Sequence, residues 1–168
     1  MNELAKTLED VFGFSSFRPG QEEIINHLMQ KKKLLAVMPT GAGKSLCFQL
    51  PALLFENQTI VVSPLVALMD DQVIGLKDLG VNAERVHSGM AESKRNQVWE
   101  DFKNKTIKIL YISPESLMRN EMISAIKPLN ISMFVVDEAH CISKWGSDFR
   151  REYELLKELQ YHFPEAVI

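Results

Sequence analysis

The chain has 168 residues, enough for one domain with its own hydrophobic core. Hydrophobic residues make up 46% and charged residues 24% of it, a composition typical of folded globular proteins and not of disordered or fibrous ones. The net charge of -3 excludes a basic surface over the whole chain, so a nucleic-acid site would have to be local. No apolar run reaches the roughly 18 residues of a membrane span and the N-terminus is charged throughout, so we expect a cytoplasmic protein.

Two helices, at 3–12 and 19–30, are predicted ahead of the first apolar run. Further along, short apolar runs predict buried strands, and apolar residues at helical spacing predict helices between them. Gly80 is the expected C-terminal cap of one of these helices. The predicted strands are 34–38, 59–63, 107–112 and 131–136, with a shorter one at 83–87, and the predicted helices between them are 44–56, 66–80 and 93–104.

The alternation of strands and helices predicts an α/β fold, with a mostly parallel central sheet and helices on both faces. Ligands bind such sheets at the carboxyl ends of the strands, and the strongest motifs of this sequence occur there. The two cysteines, Cys47 and Cys141, are far apart, so their spacing predicts neither a metal site nor a disulfide. We expect two buried thiols.

A glycine-rich stretch, MPTGAGKS at 38–45, lies between the first predicted strand and the following helix. Gly41 and Gly43 let backbone N–H groups turn toward an anion, and Lys44 supplies a cation. Ser45 opens a helix whose N-terminus favours phosphate, and its hydroxyl is placed to ligate Mg²⁺. The pattern GxxxxGK[ST] expects glycine where Met38 stands. An ordinary glycine-rich turn is the alternative, but the strand-loop-helix context favours a nucleoside triphosphate.

Two adjacent carboxylates, Asp137 and Glu138, follow the predicted strand at 131–136. If this strand lies beside the first one, Asp137 can hold Mg²⁺ through a water and Glu138 can activate a water aimed at the γ-phosphate. The alternative is a strand that simply ends in solvent. Together with the phosphate loop, the pair favours hydrolysis. His140 follows, either as a structural residue or as a sensor of the γ-phosphate.

Several motifs resemble known helicases. MPTGAGKS and DEAH, at 38–45 and 137–140, are similar to those of superfamily 2 helicases. Three further stretches resemble the RecQ family of DNA helicases: FGFSSFRPGQEEII at 12–25, SPLVALMDDQ at 63–72 with YISPE at 111–115, and HCISKWGSDFR at 140–150. The resemblance implies that residues 1–168 are a first RecA-like P-loop NTPase domain, with an adenine-recognition segment at 1–30.

The resemblance also implies an ATP site. The Phe14 ring would stack on adenine, where the family often has tyrosine, and Arg18 and Gln21 would hydrogen-bond the edge of the base. Phe17 is expected to pack in the protein instead. Phosphate-binding and catalytic roles fall on Thr40, Gly41, Ala42, Gly43, Lys44 and Ser45 in the loop and on Asp137 and Glu138, with Mg²⁺ held largely through water by Ser45 and Asp137.

For DNA, the resemblance implies backbone contacts from Ser63 and residues 64–72. Trp145 and Phe149 would stack on single-stranded bases, while His140 and Arg150 would help to couple DNA binding to the acidic site. These roles belong to an ATP-dependent DNA helicase that moves 3′ to 5′ on single-stranded and duplex DNA in recombination and repair, associated with the nucleoid if bacterial.

In the family, a second RecA-like domain in cis supplies arginine fingers, which are worth about 10³ to 10⁵ in rate in related enzymes. We therefore expect this chain alone to bind ATP weakly, with little hydrolysis and no unwinding. Two alternatives remain open: an RNA helicase of the same superfamily, and a non-catalytic nucleotide-binding module.

Overall fold

The structure is a computed structural model that describes residues 2–39, 41–138 and 150–168, with only the backbone described at 150–153. The strands are β1 (Thr59–Val62), β2 (Ala83–Val86), β3 (Ile109–Ile112) and β4 (Met133–Val136). The helices are α1 (Glu3–Asp10), α2 (Gln21–Met29), α3 (Lys44–Leu54), α4 (Val66–Asp78), α5 (Glu92–Lys103), α6 (Pro114–Leu117), α7 (Asn120–Ile126) and α8 (Arg150–His162), with a 3₁₀ turn at Lys127–Leu129.

The four strands form one parallel sheet in the order β2-β3-β1-β4. In its register, Ile60 of β1 lies opposite Leu110 of β3 on one side and Phe134 of β4 on the other. Parallel neighbours need crossover connections, and helices provide them here. The predicted α/β class is therefore confirmed.

Both faces of the sheet are buried because side chains alternate along each strand. In β1, Ile60 and Val62 face a hydrophobic cluster to which α5, α7 and α8 contribute. Val61 faces a second cluster, built with α2, α3 and α4. All three side chains are fully buried. Helix α1 packs against α3 in a third cluster, through Leu4 and Leu8.

Gly80 ends α4 as expected. Its φ of +80° lies in the left-handed region, which glycine adopts without steric cost. The Gly80 N–H donates to the Lys77 carbonyl (2.9 Å), and the Val81 N–H donates to the Leu76 carbonyl (3.0 Å). These two bonds form a Schellman motif, so the last carbonyl groups of the helix have partners.

The predicted strand at 34–38 is wrong. Residues 32–39 have no regular structure, and Leu35 and Val37 are 81% and 89% exposed. A backbone hydrogen bond joins the Leu34 N–H to the Ile168 carbonyl oxygen (3.0 Å), beside an isolated bridge between Val167 and β4. The single hydrogen bond of Leu34 and the single bridge of Val167 do not extend into a ladder of strand pairs. Among the described residues, the apolar run therefore has no strand to pair with.

Of the helices that the structure describes, none has the length and apolar character needed to cross a bilayer.

Candidate nucleotide-binding and hydrolysis site

The phosphate loop leads directly into α3, which begins at Lys44. Gly41 and Gly43 both have a φ of +81°, which explains why the two positions carry glycine. A Cβ atom on Gly43 would also collide with the amide nitrogen of Gln21. The N-cap residue Gly43 has no side chain to cap α3, so its first-turn N–H groups suit a ligand such as phosphate. The loop therefore fits an anionic group.

Arg18 and Gln21, the predicted adenine contacts, lie against this loop. The Arg18 guanidinium donates to the Gly41 carbonyl (2.9 Å), and the Gln21 amide nitrogen donates to the Gly43 carbonyl (3.0 Å). The Gln21 amide oxygen accepts from the Arg18 N–H (2.8 Å), so both ends of that buried amide are used. Both residues thus stand beside the phosphate loop, and the bonds that the structure shows go to protein. Their adenine contacts stay a prediction.

The two aromatic rings of the preceding loop differ in their surroundings. Phe14 is 50% exposed, whereas Phe17 packs against the cluster of α1 and α3, as the sequence predicted. A cleft of about 620 Å³ opens between α2 and the exposed run at 34–39, with Arg18 and Ala42 in its wall. That volume lies in the ordinary range for small-molecule sites. Phe14 and Gln21 do not line it.

The acidic pair follows β4 at the end of the sheet. The Asp137 N–H donates to the Val62 carbonyl (2.9 Å), so β4 lies beside β1. On the other edge of β4 the Phe134 N–H donates to the Val167 carbonyl (2.8 Å), so Val167 and not the run at 34–38 lies there, which corrects the predicted arrangement. The pair still reaches the phosphate loop, because Glu138 Oε1 lies 4.0 Å from Lys44 Nζ. Glu138 has a φ of +54°, a left-handed conformation that is uncommon for a non-glycine residue and that Lys31, Lys105 and Asn130 also adopt.

Burial is the main reason why the pKa of Asp137 is raised above its ordinary value. The Glu138 N–H donates to Asp137 Oδ1 (2.9 Å) and opposes that shift. The negative charge of Glu138 adds to the shift, while the Gln72 amide and the Lys44 ammonium oppose it. A carboxylate with so little solvation gains from a cation beside it.

The oxygen atoms of this site suit a Mg²⁺ ion that binds together with the nucleotide. They do not form a site that would hold a metal ion tightly by itself. Mg²⁺ takes one or two carboxylates together with phosphates and waters, and Asp137 with the Ser45 hydroxyl would supply such oxygens. Within the described ranges, no group of three or more His, Cys, Asp or Glu side chains could hold a metal ion. A nucleotide-bound Mg²⁺ is consistent with this donor set.

The predicted DNA segment is only partly on the surface. Ser63 is 1% exposed and its hydroxyl oxygen has no hydrogen-bond partner among the described residues. Met69 is fully buried, and the Gln72 amide turns toward Asp137, so these two side chains point toward the sheet. DNA-backbone contacts by part of 63–72 stay a prediction. The helical side facing the sheet is buried for packing. Leu65, at the start of α4, is exposed.

Several predicted residues lie outside the described part of the chain. They are Thr40, His140, Trp145 and Phe149, together with Cys141 and the side chain of Arg150. Cys47 is buried, as expected.

A buried polar contact near the acidic pair was missed by the sequence analysis. The Tyr111 hydroxyl, on β3, accepts from the Gln49 side-chain nitrogen (3.2 Å). Burial raises the pKa of Tyr111 far above its usual value, the Gln49 bond opposes this, and the charge of Asp137 adds to it. Gln72 donates to the same carboxylate from α4. The sequence signal that could have revealed this contact is Gln72, a glutamine on the same side of the predicted helix as the apolar Met69 and Val73.

The parallel sheet, the phosphate loop and the acidic pair place the chain among RecA-like domains, as similar solved structures show. A hypothetical ATP-dependent RNA helicase from Sulfolobus tokodaii superposes with a TM-score of 0.73 at 20% identity, over 99% of this chain and 48% of that one. The DUF1998 helicase MrfA bound to DNA gives 0.74 at 19% identity, over 100% and 25%. At these identities the likeness concerns the fold.

The sequence family described as DEAD/DEAH box helicase matches residues 18–167, and the chain belongs to that family. Its relatives include the ATP-dependent DNA helicase RecQ of Haemophilus influenzae, 45% identical over 96% of this chain, and RecQ of Pasteurella multocida, 46% identical over 96%. The mouse ATP-dependent DNA helicase Q1 is 40% identical over 95%. The chain spans 26% of the length of each, and the RecQ resemblance of its motifs is confirmed.

Proposed function

We propose that the protein is an ATP-dependent DNA helicase of RecQ type and that this chain forms the ATP-binding first domain of its motor. The observation that carries the proposal is the approach of Lys44 Nζ to Glu138 Oε1 (4.0 Å), which joins the phosphate loop to the acidic pair. The identities of 40–46% to RecQ-type DNA helicases support DNA as the substrate.

Each side chain then has a part in hydrolysis. Lys44 and the N–H groups at the start of α3 bind the phosphates, and Thr40, Gly41, Ala42 and Gly43 shape the loop around them. Ser45 and Asp137 would hold Mg²⁺, which neutralises charge on the phosphates when bound. Glu138 orients and deprotonates the attacking water. Phe14, Arg18 and Gln21 contact the adenine.

DNA binds across the exposed start of α4 and the loop that follows the acidic pair. Trp145 and Phe149 stack on bases, while His140 and Arg150 connect that loop to the γ-phosphate. Movement is 3′ to 5′, with a second RecA-like domain in the complete protein supplying arginine fingers. Such an enzyme works in the cytoplasm and, if the cell is bacterial, at the nucleoid. By itself, this chain binds ATP weakly and hydrolyses little.

Equilibrium binding of fluorescent ATP to the chain tests the nucleotide site. Lys44→Ala should weaken binding about 10- to 100-fold, because a hydrogen bond to a charged group contributes about 1.5–3 kcal/mol. Lys103→Ala is the matched control, since Lys103 also pairs with a glutamate, Glu100, at 3.2 Å on the surface. Equal binding by wild type and Lys44→Ala would contradict the proposal. Failure of the wild type to bind would favour a merely structural remnant.

ATP hydrolysis by the complete protein, compared with single-stranded DNA and with RNA, tests the nucleic acid. DNA should stimulate hydrolysis more than RNA, and stronger stimulation by RNA would favour an RNA helicase. Alanine at Trp145 and Phe149 should reduce both DNA-stimulated hydrolysis and unwinding. If both activities stayed intact, the proposed coupling loop would be wrong.

A further inference from the structure

Gln72 lies at the edge of the buried side of α4 and is itself half-buried. Met69, Val73 and Leu76 of the same helix are 0%, 2% and 1% exposed, and their spacing puts them on the side that also carries Gln72. The side-chain nitrogen of Gln72 lies 3.4 Å from Asp137 Oδ2. A polar side chain within an apolar stripe destabilises the fold unless it has a hydrogen-bond partner. Asp137 is that partner.

The carboxylate fixes which end of the Gln72 amide faces it. An ionised carboxylate only accepts hydrogen bonds, so the NH₂ group must point toward Asp137. The other end of the amide, Oε1, is buried and has no partner among the described residues. Turning the amide over would bring two oxygen atoms together. The contact with Asp137 therefore determines the orientation of Gln72.

The two oxygens of Asp137 have different supports. Oδ1 accepts from the N–H of the next residue, Glu138 (2.9 Å), within the same turn. Oδ2 faces Gln72, which belongs to a separate element. Any shift of α4 relative to β4 thus changes the support of one oxygen and leaves that of the other unchanged.

Helix α4 connects this carboxylate to the surface proposed for DNA. The helix begins at Val66, next to the exposed Leu65, and Gln72 lies two turns further along. The buried Tyr111 hydroxyl of β3, on which the charge of Asp137 acts, hydrogen-bonds Gln49 of α3, the helix that starts at the phosphate loop. The direct contact between α4 and the acidic pair is that of Gln72 with Asp137.

We infer that Gln72 is a positioning residue through which α4 orients the Asp137 carboxylate, so that DNA at the start of α4 changes the affinity of the nucleotide site for Mg²⁺. The inference rests on the proposed function. Because coupling between two binding sites is reciprocal, Mg²⁺ with nucleotide should change DNA affinity by the same factor.

The test measures equilibrium binding of a fluorescent, non-hydrolysable ATP analogue to the complete protein, in EDTA and in Mg²⁺, with and without single-stranded DNA. In Gln72→Met, which keeps length and removes the donor, the tightening by Mg²⁺ should fall about tenfold, as for other groups that orient metal ligands. Affinity in EDTA should stay within about twofold, since the hydrogen bond that Gln72 makes within the described residues goes to Asp137 and not to the phosphate loop. The effect of DNA on nucleotide affinity should be lost.

Gln97→Met is the matched control, because the Gln97 amide also donates to an aspartate, Asp101, at 2.9 Å on the exposed side of α5. It should leave every constant unchanged. Gln72→Asn keeps the amide but is too short to reach Asp137, so it should behave like Gln72→Met. If the methionine variant does not fold, the asparagine variant tests the inference in its place.

Three results would overturn the inference. Both Gln72 variants could bind as the wild type does, or they could lose affinity equally in EDTA and in Mg²⁺, which would indicate general damage to the fold. In either case the proposed function stands. If the wild type bound no nucleotide in either condition, the proposed function and this inference would fail together.

Discussion

Substitution of Gly43 by alanine should weaken the fold around the phosphate loop. Gly43 has a φ of +81°, and a left-handed conformation costs a non-glycine residue about 1–2 kcal/mol. The added methyl group would displace the Gln21 side chain, which is 2% exposed and would lose its bond to the Gly43 carbonyl. A buried donor without a partner costs about 1–3 kcal/mol. The free energy of unfolding should therefore fall by about 2–5 kcal/mol.

Two other glycines separate the two causes. Gly41 has the same φ, but a Cβ there meets nothing within 4 Å, so Gly41→Ala should cost only the conformational part, about 1–2 kcal/mol. Gly75 lies inside α4 with open space around it, so Gly75→Ala should stabilise the chain by about 0.5–1 kcal/mol. Urea unfolding followed by circular dichroism measures all three. If Gly43→Ala were no more destabilising than Gly41→Ala, the role given to Gln21 would be refuted.

Three further outcomes are expected. Phe14→Ala should weaken ATP binding with little change in the free energy of unfolding, because the Phe14 ring is half exposed. Phe17→Ala should lower the free energy of unfolding by about 1–3 kcal/mol, because Phe17 packs against the cluster of α1 and α3. ATP binding and urea unfolding, measured for both variants, check the two expectations. Lys108→Met should lower the free energy of unfolding by about 1–3 kcal/mol, since Lys108 Nζ donates to carbonyl oxygens just after α3; an unchanged urea midpoint would count against this. Burial raises the pKa of Cys47, so in a Cys141→Ser chain its alkylation at pH 7 should be much slower than that of a small thiol, and equal rates would disprove the assigned burial.

The sheet was largely predictable, because its strands at 59–62, 109–112 and 133–136 are short apolar runs buried on both faces. The run at 34–38 is also apolar, yet Leu35 and Val37 are exposed and the run is not a strand, because apolar character alone does not supply the neighbouring strand that a sheet requires. Helix α6 was missed although Ser113 accepts from the Ser116 N–H as its N-cap, a local signal that the sequence contains.

The residues of the site were predictable from motif and spacing, but their contacts were not. The sequence indicates that Lys44 and Glu138 belong to one site, and the fold brings them within 4.0 Å. The sequence does not indicate that Arg18 and Gln21 donate hydrogen bonds to carbonyl groups of the phosphate loop. Every residue has a backbone carbonyl group, so the residue types do not show which one accepts a bond. The inward turn of Gln72 likewise depends on how α4 packs on the sheet.

The central claim is that Lys44, Asp137 and Glu138 hydrolyse ATP in a motor driven along DNA. The most direct measurement is steady-state ATP hydrolysis by the complete protein with and without single-stranded DNA, for the wild type and for Glu138→Gln. We expect Mg²⁺-dependent hydrolysis that DNA stimulates, and a loss of about 10²- to 10⁴-fold in the variant with ATP binding retained. An ATP hydrolysis rate that does not change when DNA is added, or a Glu138→Gln variant as active as the wild type, would contradict the claim.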